Sequence, residues 1–185
     1  MLMQPRSQNG WPRRVVAIHS PYRASRTPPF KNRDEAMTTH HQLLYHIVFS
    51  TKNRRRWLTE GFRDDVFAYM AGIVRNLGGQ AMSIGGFLDH AHLLIRIPAR
   101  IAVSDFVGKL KANTSKHIND TSGLIRKFGW QDGYGAFTVS VSQKSRIIRY
   151  IENQVAHHSN LSFQQEYLSL LEKHEVEYDS ESVWD

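Results

Sequence analysis

The chain has 185 residues, enough for one ordinary domain or a domain plus a tail. Its apolar share of 41 % is enough to build a core. It has no cysteine, which excludes disulfides and thiolate metal sites. No apolar run approaches the roughly 20 residues that span a bilayer, and the N-terminus has no apolar signal-peptide core. A soluble cytoplasmic protein without membrane partners is therefore expected. The net charge of +7 and isoelectric point near 9.8 invite a polyanionic partner, most simply nucleic acid.

Most of that charge sits at the front. Residues 1–36 carry Arg6, Arg13, Arg14, Arg23, Arg26, Lys31 and Arg33 against Asp34 and Glu35, so five of the seven net positive charges lie there. The segment also holds Pro5, Pro12, Pro21, Pro28 and Pro29, and shows no periodicity beyond a short apolar patch at Val15–Ile18. It reads as a disordered or loosely attached extension. It is either a basic arm for nucleic acid or residues ahead of a true start at Met37. The second reading is favoured, because structured patterning begins directly after Met37. Residues 37–185 are expected to form a single domain.

In chain order, Leu43–Ser50 is a β-rich run, followed by a basic turn at Arg54, Arg55 and Arg56. Thr59 can cap a helix running to about Leu77, with Phe62, Val66, Tyr69, Met70 and Ile73 on one face and Gly78 and Gly79 ending it. Gln80–Leu88 and His90–Ile97 are strands. Val103–Ile118 is a helix with Ser104 as cap and Phe106, Val107, Leu110 and Ile118 inward. Tyr134–Val141 is a fourth strand. A long helix starts near Ser142 or Gln143 and carries Ile147, Ile148, Ile151 and Val155. A last helix covers about Ser162–His174. The order β-α-β-β-α-β matches a ferredoxin-like (split βαβ) antiparallel sheet, an α+β fold with two further C-terminal helices. The first two helices would cover one face. The second face stays free for a ligand unless more helices or another subunit cover it.

Side chains alternate across a strand. Ala91, Leu93, Ile95 and Ile97 therefore share an apolar face, and His90, His92, Leu94 and Arg96 share the other. Two histidines two residues apart on one face can close on one metal ion, as neutral imidazoles. On the long helix, Tyr150 and Gln154 stand at i and i+4, one turn apart. A tyrosine there can be a nucleophile, and the glutamine carbonyl a third ligand. Taken singly, both patterns are better read as ordinary strand and helix residues.

Four segments occur together in this order: Tyr45–Lys52 (YHIVFSTK), Asp89–Leu94 (DHAHLL), Trp130–Phe137 (WQDGYGAF) and Tyr150–Gln154 (YIENQ). In combination they resemble the small single-tyrosine transposases with a His-hydrophobic-His motif, closest to the REP-associated branch. The resemblance runs from about Met37 to the C-terminus. It implies a ferredoxin-like sheet, His90 and His92 as metal ligands, Gln154 as third ligand and Tyr150 as nucleophile. It also implies short DNA hairpins with a single-stranded flank as substrate, and a homodimer.

The chemistry is consistent with that resemblance. Only about 0.1 % of a phenol with pKa near 10 is ionised at pH 7, so the tyrosine needs activation or a polarised electrophile. A divalent ion on two imidazoles and one amide oxygen keeps positions open for phosphate oxygens. The mixed donors suit Mg²⁺ or Mn²⁺. Structural zinc would want four protein ligands, and no fourth is apparent. Arg54, Arg55, Arg56, Lys109, Lys111 and Lys116 are candidate phosphate contacts as a group. Trp130, Tyr134 and Phe137 are candidates for base stacking, with Phe137 better placed in the core and Trp130 against a loop. His157, His158 and His174 are unassigned, the first two reading as surface. The alternative function is a non-catalytic nucleic-acid-binding regulator derived from a transposase. A structural or metal-storage domain fits the basic balance poorly.

Overall fold

The computed structural model describes residues 40–158 and 161–184. The basic extension 1–36 and the boundary at Met37 lie outside the described residues. Four strands, β1 (Leu44–Ser50), β2 (Gln80–Gly86), β3 (His90–Arg96) and β4 (Gly135–Thr138), form one antiparallel sheet in the order β2-β3-β1-β4. This is the ferredoxin-like arrangement. The central pair is registered Val48 against His92 and Ser50 against His90. Runs rich in Val, Ile and Phe favour these strands because branched and aromatic side chains pack well on a pleated surface.

Strand parity divides the interior into two layers. On one face Ile47, Phe49, Ala91, Leu93 and Ile95 pack under α1 (Phe62–Asn76) and α2 (Val103–Thr121), through Val66, Met70, Val74, Phe106, Leu110 and Ile118. On the other face lie Leu44, His46, Val48, His90, His92, Leu94 and Phe137. This face is not left free. The C-terminal helices α3 (Lys144–Glu152) and α5 (Phe163–Lys173) supply Ile151, Phe163, Tyr167, Leu170 and Leu171 against it.

Several local expectations are corrected. Helix α1 starts after Gly61 (φ 83°), without a side-chain cap, so Thr59 does not cap it. Ala102, not Ser104, precedes α2, again without a side-chain cap. Ser162 does cap α5, in a reciprocal capping box with Gln165. The long helix is interrupted at Asn153 (φ −95°, ψ 15°), where the Asn153 amide donates to the Arg149 carbonyl at 2.9 Å. Such local side-chain bonding competes with helix continuation. A short turn, α4 (Gln154–His157), follows. The break takes Val155 out of the Ile147–Ile151 stripe and leaves it 51 % exposed.

Helix α3 is seated on β2 at Gly85. A Cβ there would lie 2.5 Å from the Ile151 carbonyl oxygen and 2.9 Å from Ile151 Cγ2. Only glycine lets the helix approach this closely, and the residue it fixes is the neighbour of Tyr150. Gly85→Ala should therefore lower stability by roughly 1–3 kcal/mol through overpacking, read from the denaturant midpoint. An unchanged midpoint would show that α3 is not held at this contact.

Candidate metal and tyrosine site

His90 and His92 project from the same face of β3, as their spacing requires, and both are fully buried. The helices bring a larger set of donors to them than the spacing alone implies. His158, just past α4, and Glu166, in the first turn of α5, join the two histidines, and one ligand atom from each of the four lies within 4.8 Å of the others. Glu166 Oε2 is 3.2 Å from His92 Nε2, 3.0 Å from His158 Nε2 and 3.6 Å from His90 Nε2. Gln154 Oε1 stands 3.1 Å from both His90 Nε2 and His158 Nε2. Candidate donors beyond the expected three are therefore present, and the His158 side chain is buried rather than at the surface, at 2 % exposure.

Each imidazole is held by its other nitrogen. His90 Nδ1 donates to Asp89 Oδ1 at 2.7 Å, His158 Nδ1 donates to the Leu161 carbonyl at 2.6 Å, and His92 Nδ1 meets His46 Nε2 at 3.0 Å. Outer partners of this kind fix the tautomer and orientation of metal-binding histidines. With one ring proton, held on Nδ1 by Asp89, His90 turns a bare Nε2 toward Gln154 Oε1, lone pair against lone pair. A cation among these atoms removes that conflict, so the donor set fits a divalent ion.

Tyr150 adjoins the cluster. Its hydroxyl donates to Glu166 Oε1, which also accepts from Gln154 Nε2 at 2.8 Å. One carboxylate therefore faces the tyrosine with one oxygen and the imidazoles with the other. Burial raises the Tyr150 phenol above its ordinary range, and the Glu166 charge raises it further. Burial would also raise the Glu166 carboxyl, but hydrogen bonds from His158, His92 and Tyr150 hold it well below the usual carboxylate range. Burial holds His92 down at about 4 despite its contact with Glu166. Burial likewise lowers His46 well below the ordinary imidazole range, assisted by His92.

The expected cations scatter. Arg54, Arg55 and Arg56 follow β1 at the end of the sheet where Ser50 faces His90, and the Arg54 guanidinium lies 5.5 Å from the Trp184 ring centre. Lys109 and Lys116 are on α2, which packs on the other face of the sheet, and Lys116 pairs with Asp120 at 2.6 Å. Lys111 fastens a loop, donating to the Asp132 and Gly133 carbonyls at 2.9 Å each. Burial lowers its ammonium to about 8. Trp130 and Phe137 are buried, Trp130 edge-on to Phe49 and Phe128, so neither presents a free face to a base.

His158 continues the Tyr150, Gln154 spacing by four more residues, a signal present in the sequence. Glu166 had no comparable one, being an acidic residue in a first helical turn, where acids are common.

Comparison with known proteins bears on the same residues. The family model described as "Transposase IS200 like" matches residues 39–154, from just before β1 to Gln154. His158 and α5 lie beyond that match. The ISDra2 transposase TnpA of Deinococcus radiodurans is 27 % identical over 119 residues, covering 62 % of this chain and 85 % of that protein. The transposase for insertion sequence element IS200 of Salmonella typhimurium is 30 % identical over 117 residues, covering 60 % and 76 %. Among solved structures, a Deinococcus radiodurans protein superposes with TM-score 0.52 at 25 % identity, covering 63 % of this chain and 94 % of that one. A REP-associated tyrosine transposase bound to a REP hairpin has the same fold, with TM-score 0.51 at 13 % identity and coverage of 66 % and 74 %. The matched segment contains His90, His92, Tyr150 and Gln154 and more than half of the chain, and the chain belongs to the IS200-like transposase family of DNA transposases.

Proposed function

We propose that the protein cleaves single-stranded DNA beside hairpins and rejoins it through a 5′-phosphotyrosine intermediate. Tyr150 is the nucleophile, and His90, His92 and Gln154, joined by His158 and Glu166, hold a divalent ion. One observation carries this reading: Glu166 links the Tyr150 hydroxyl to the histidine cluster through its two oxygens.

The phenol is held neutral by burial and by the facing charge, so it gives up its proton only as it reacts. Glu166 Oε1 is the atom placed to accept it. The Tyr150 oxygen then bonds to phosphorus, and the bond to the 3′ oxygen breaks. The products are a phosphotyrosine and a free 3′-hydroxyl. Because one phosphodiester replaces another, a second 3′-hydroxyl can reverse the step without ATP. A bound divalent ion would polarise the scissile phosphate and stabilise the departing oxygen. Mg²⁺ and Mn²⁺ remain the proposed ions, and a donor set with three imidazoles suits Mn²⁺ better than the harder Mg²⁺.

A hairpin substrate is supported by the fold-neighbour that is bound to one. Arg54, Arg55, Arg56, Lys109, Lys111 and Lys116 are kept as the proposed phosphate contacts. A homodimer is proposed by resemblance; within one chain the Tyr150 hydroxyl meets Glu166. A cytoplasmic location is proposed along with the DNA substrate. No helix among the described residues is long and apolar enough to cross a membrane.

Wild-type protein with Mn²⁺ and labelled hairpin DNA carrying a single-stranded flank should form a denaturant-resistant protein–DNA adduct. Tyr150→Phe and chelation should each abolish it. DNA binding that survives both, with no wild-type adduct over a range of hairpins, would instead establish the non-catalytic regulator. Mn²⁺ at roughly 100 times its dissociation constant should stabilise the wild type by about 2.7 kcal/mol, measured by thermal denaturation. His90→Ala and His158→Ala should lose this gain, and its retention in His158→Ala would remove that residue from the ligand set. Deleting residues 1–36 should leave adduct yield unchanged, and a large loss would make the extension part of the working protein.

A further inference from the structure

A cleft of about 550 Å³ opens beside Tyr150, lined by residues of α3 and α5. Its size falls in the range of roughly 300–1,000 Å³ typical of small-ligand sites. Ile147 and Leu170 give it apolar walls, and Arg146 and Lys173 are exposed at its margin. Neither cation has an ion-pair partner among the described residues. The acidic lining residue is Glu166, whose oxygens are already engaged by Tyr150, Gln154 and the histidines. The opening is therefore cationic beside an apolar interior.

His46 adds a second, independent observation. It is 1 % exposed and lines the cleft. His46 Nε2 is engaged by His92 Nδ1 at 3.0 Å. Its other ring nitrogen, Nδ1, is buried without a hydrogen-bond partner. A buried polar atom left unpaired is costly. A polar group brought in by a ligand would satisfy it.

We propose that this cleft holds the nucleotide adjoining the scissile phosphate, with its base between the apolar walls, a polar atom of the base on His46 Nδ1, and flanking phosphates on Arg146 and Lys173. This rests on the reading of Tyr150 as the residue that attacks DNA, and it assigns the specificity-determining pocket of that site. A single strand suits the cleft because an unpaired base is free to turn into it, whereas a duplex keeps its bases stacked.

The test uses the full chain without added metal, so that binding is read apart from cleavage. The probes are single-stranded oligonucleotides of roughly ten residues, one set fluorescein-labelled and one carrying 2-aminopurine. Arg146→Ala with Lys173→Ala should weaken binding about tenfold at low salt. It should also flatten the slope of log Kd against log salt by about 1.4, the share of two phosphate contacts on a single strand. Ser169→Trp, which places a ring in the cleft, should abolish the 2-aminopurine fluorescence change, whereas Ser169→Ala should preserve it. Wild-type affinity and salt slope in the double-alanine variant, or an unchanged 2-aminopurine response in Ser169→Trp, would overturn the assignment. The surface alanines test the proposal even if the tryptophan variant fails to fold. If wild type binds strands through Arg146 and Lys173 yet forms no adduct with hairpin DNA, the cleavage reading falls and the pocket stands. Normal adduct formation with binding insensitive to these substitutions overturns the pocket alone.

Discussion

Glu166 is a carboxylate taken out of water on α5, at 2 % exposure, and its two oxygens are where β3, α3, α4 and α5 meet. Removing such an ion from water costs several kcal/mol unless donors surround it. Here His92 and His158 approach one oxygen, and Tyr150 and Gln154 approach the other. The carboxyl stays ionised because of those donors, against the effect of burial. Every element carrying a functional side chain on this face is thereby tied to one group. The C-terminal helix does more than cover the sheet, because it supplies the charge around which the tyrosine and imidazoles are arranged.

That arrangement needs a sheet whose two faces do different work, and this much is legible in the sequence. Alternation in HAHLLIR by itself puts the histidines opposite Ala91, Leu93 and Ile95. Period-2 alternation is a local property, and the strand obeys it whatever packs above. The order of six elements likewise carries the topology, because connections of these lengths admit few arrangements. The spacing of Tyr150 and Gln154 places both near the histidines, although the helix joining them is interrupted at Asn153.

What the sequence does not reveal depends on contacts between distant segments. Glu166 is separated from His92 by 74 residues and from Tyr150 by 16, and nothing in FQQEYLSLLEK marks its acid as buried rather than solvated. His158 resembles a surface residue in the sequence because periodicity cannot show which side of a broken helix faces inward. The helix starts at Gly61 and Ala102 are hidden for a different reason. Thr59 and Ser104 are good caps in isolation, but the chain begins each helix where tertiary packing directs it, without a side-chain cap. The cations follow the same rule. Lys111 is attached to loop carbonyls, and Arg146 and Lys173 reach the cleft through the docking of α3 and α5.

The state of Tyr150 in this assembly links structure to control of reactivity. An exposed phenolate beside a metal site would attack whatever electrophile arrived. Burial and the adjacent Glu166 charge instead hold the phenol protonated. In the proposed reaction its proton would leave as positive charge enters the cluster and draws electron density from Glu166, or as a phosphate is positioned to receive the oxygen. The carboxylate that suppresses ionisation would then also be the acceptor. Coupling both roles in Glu166 would make nucleophilicity a property of the loaded site, which suits an enzyme that breaks DNA strands.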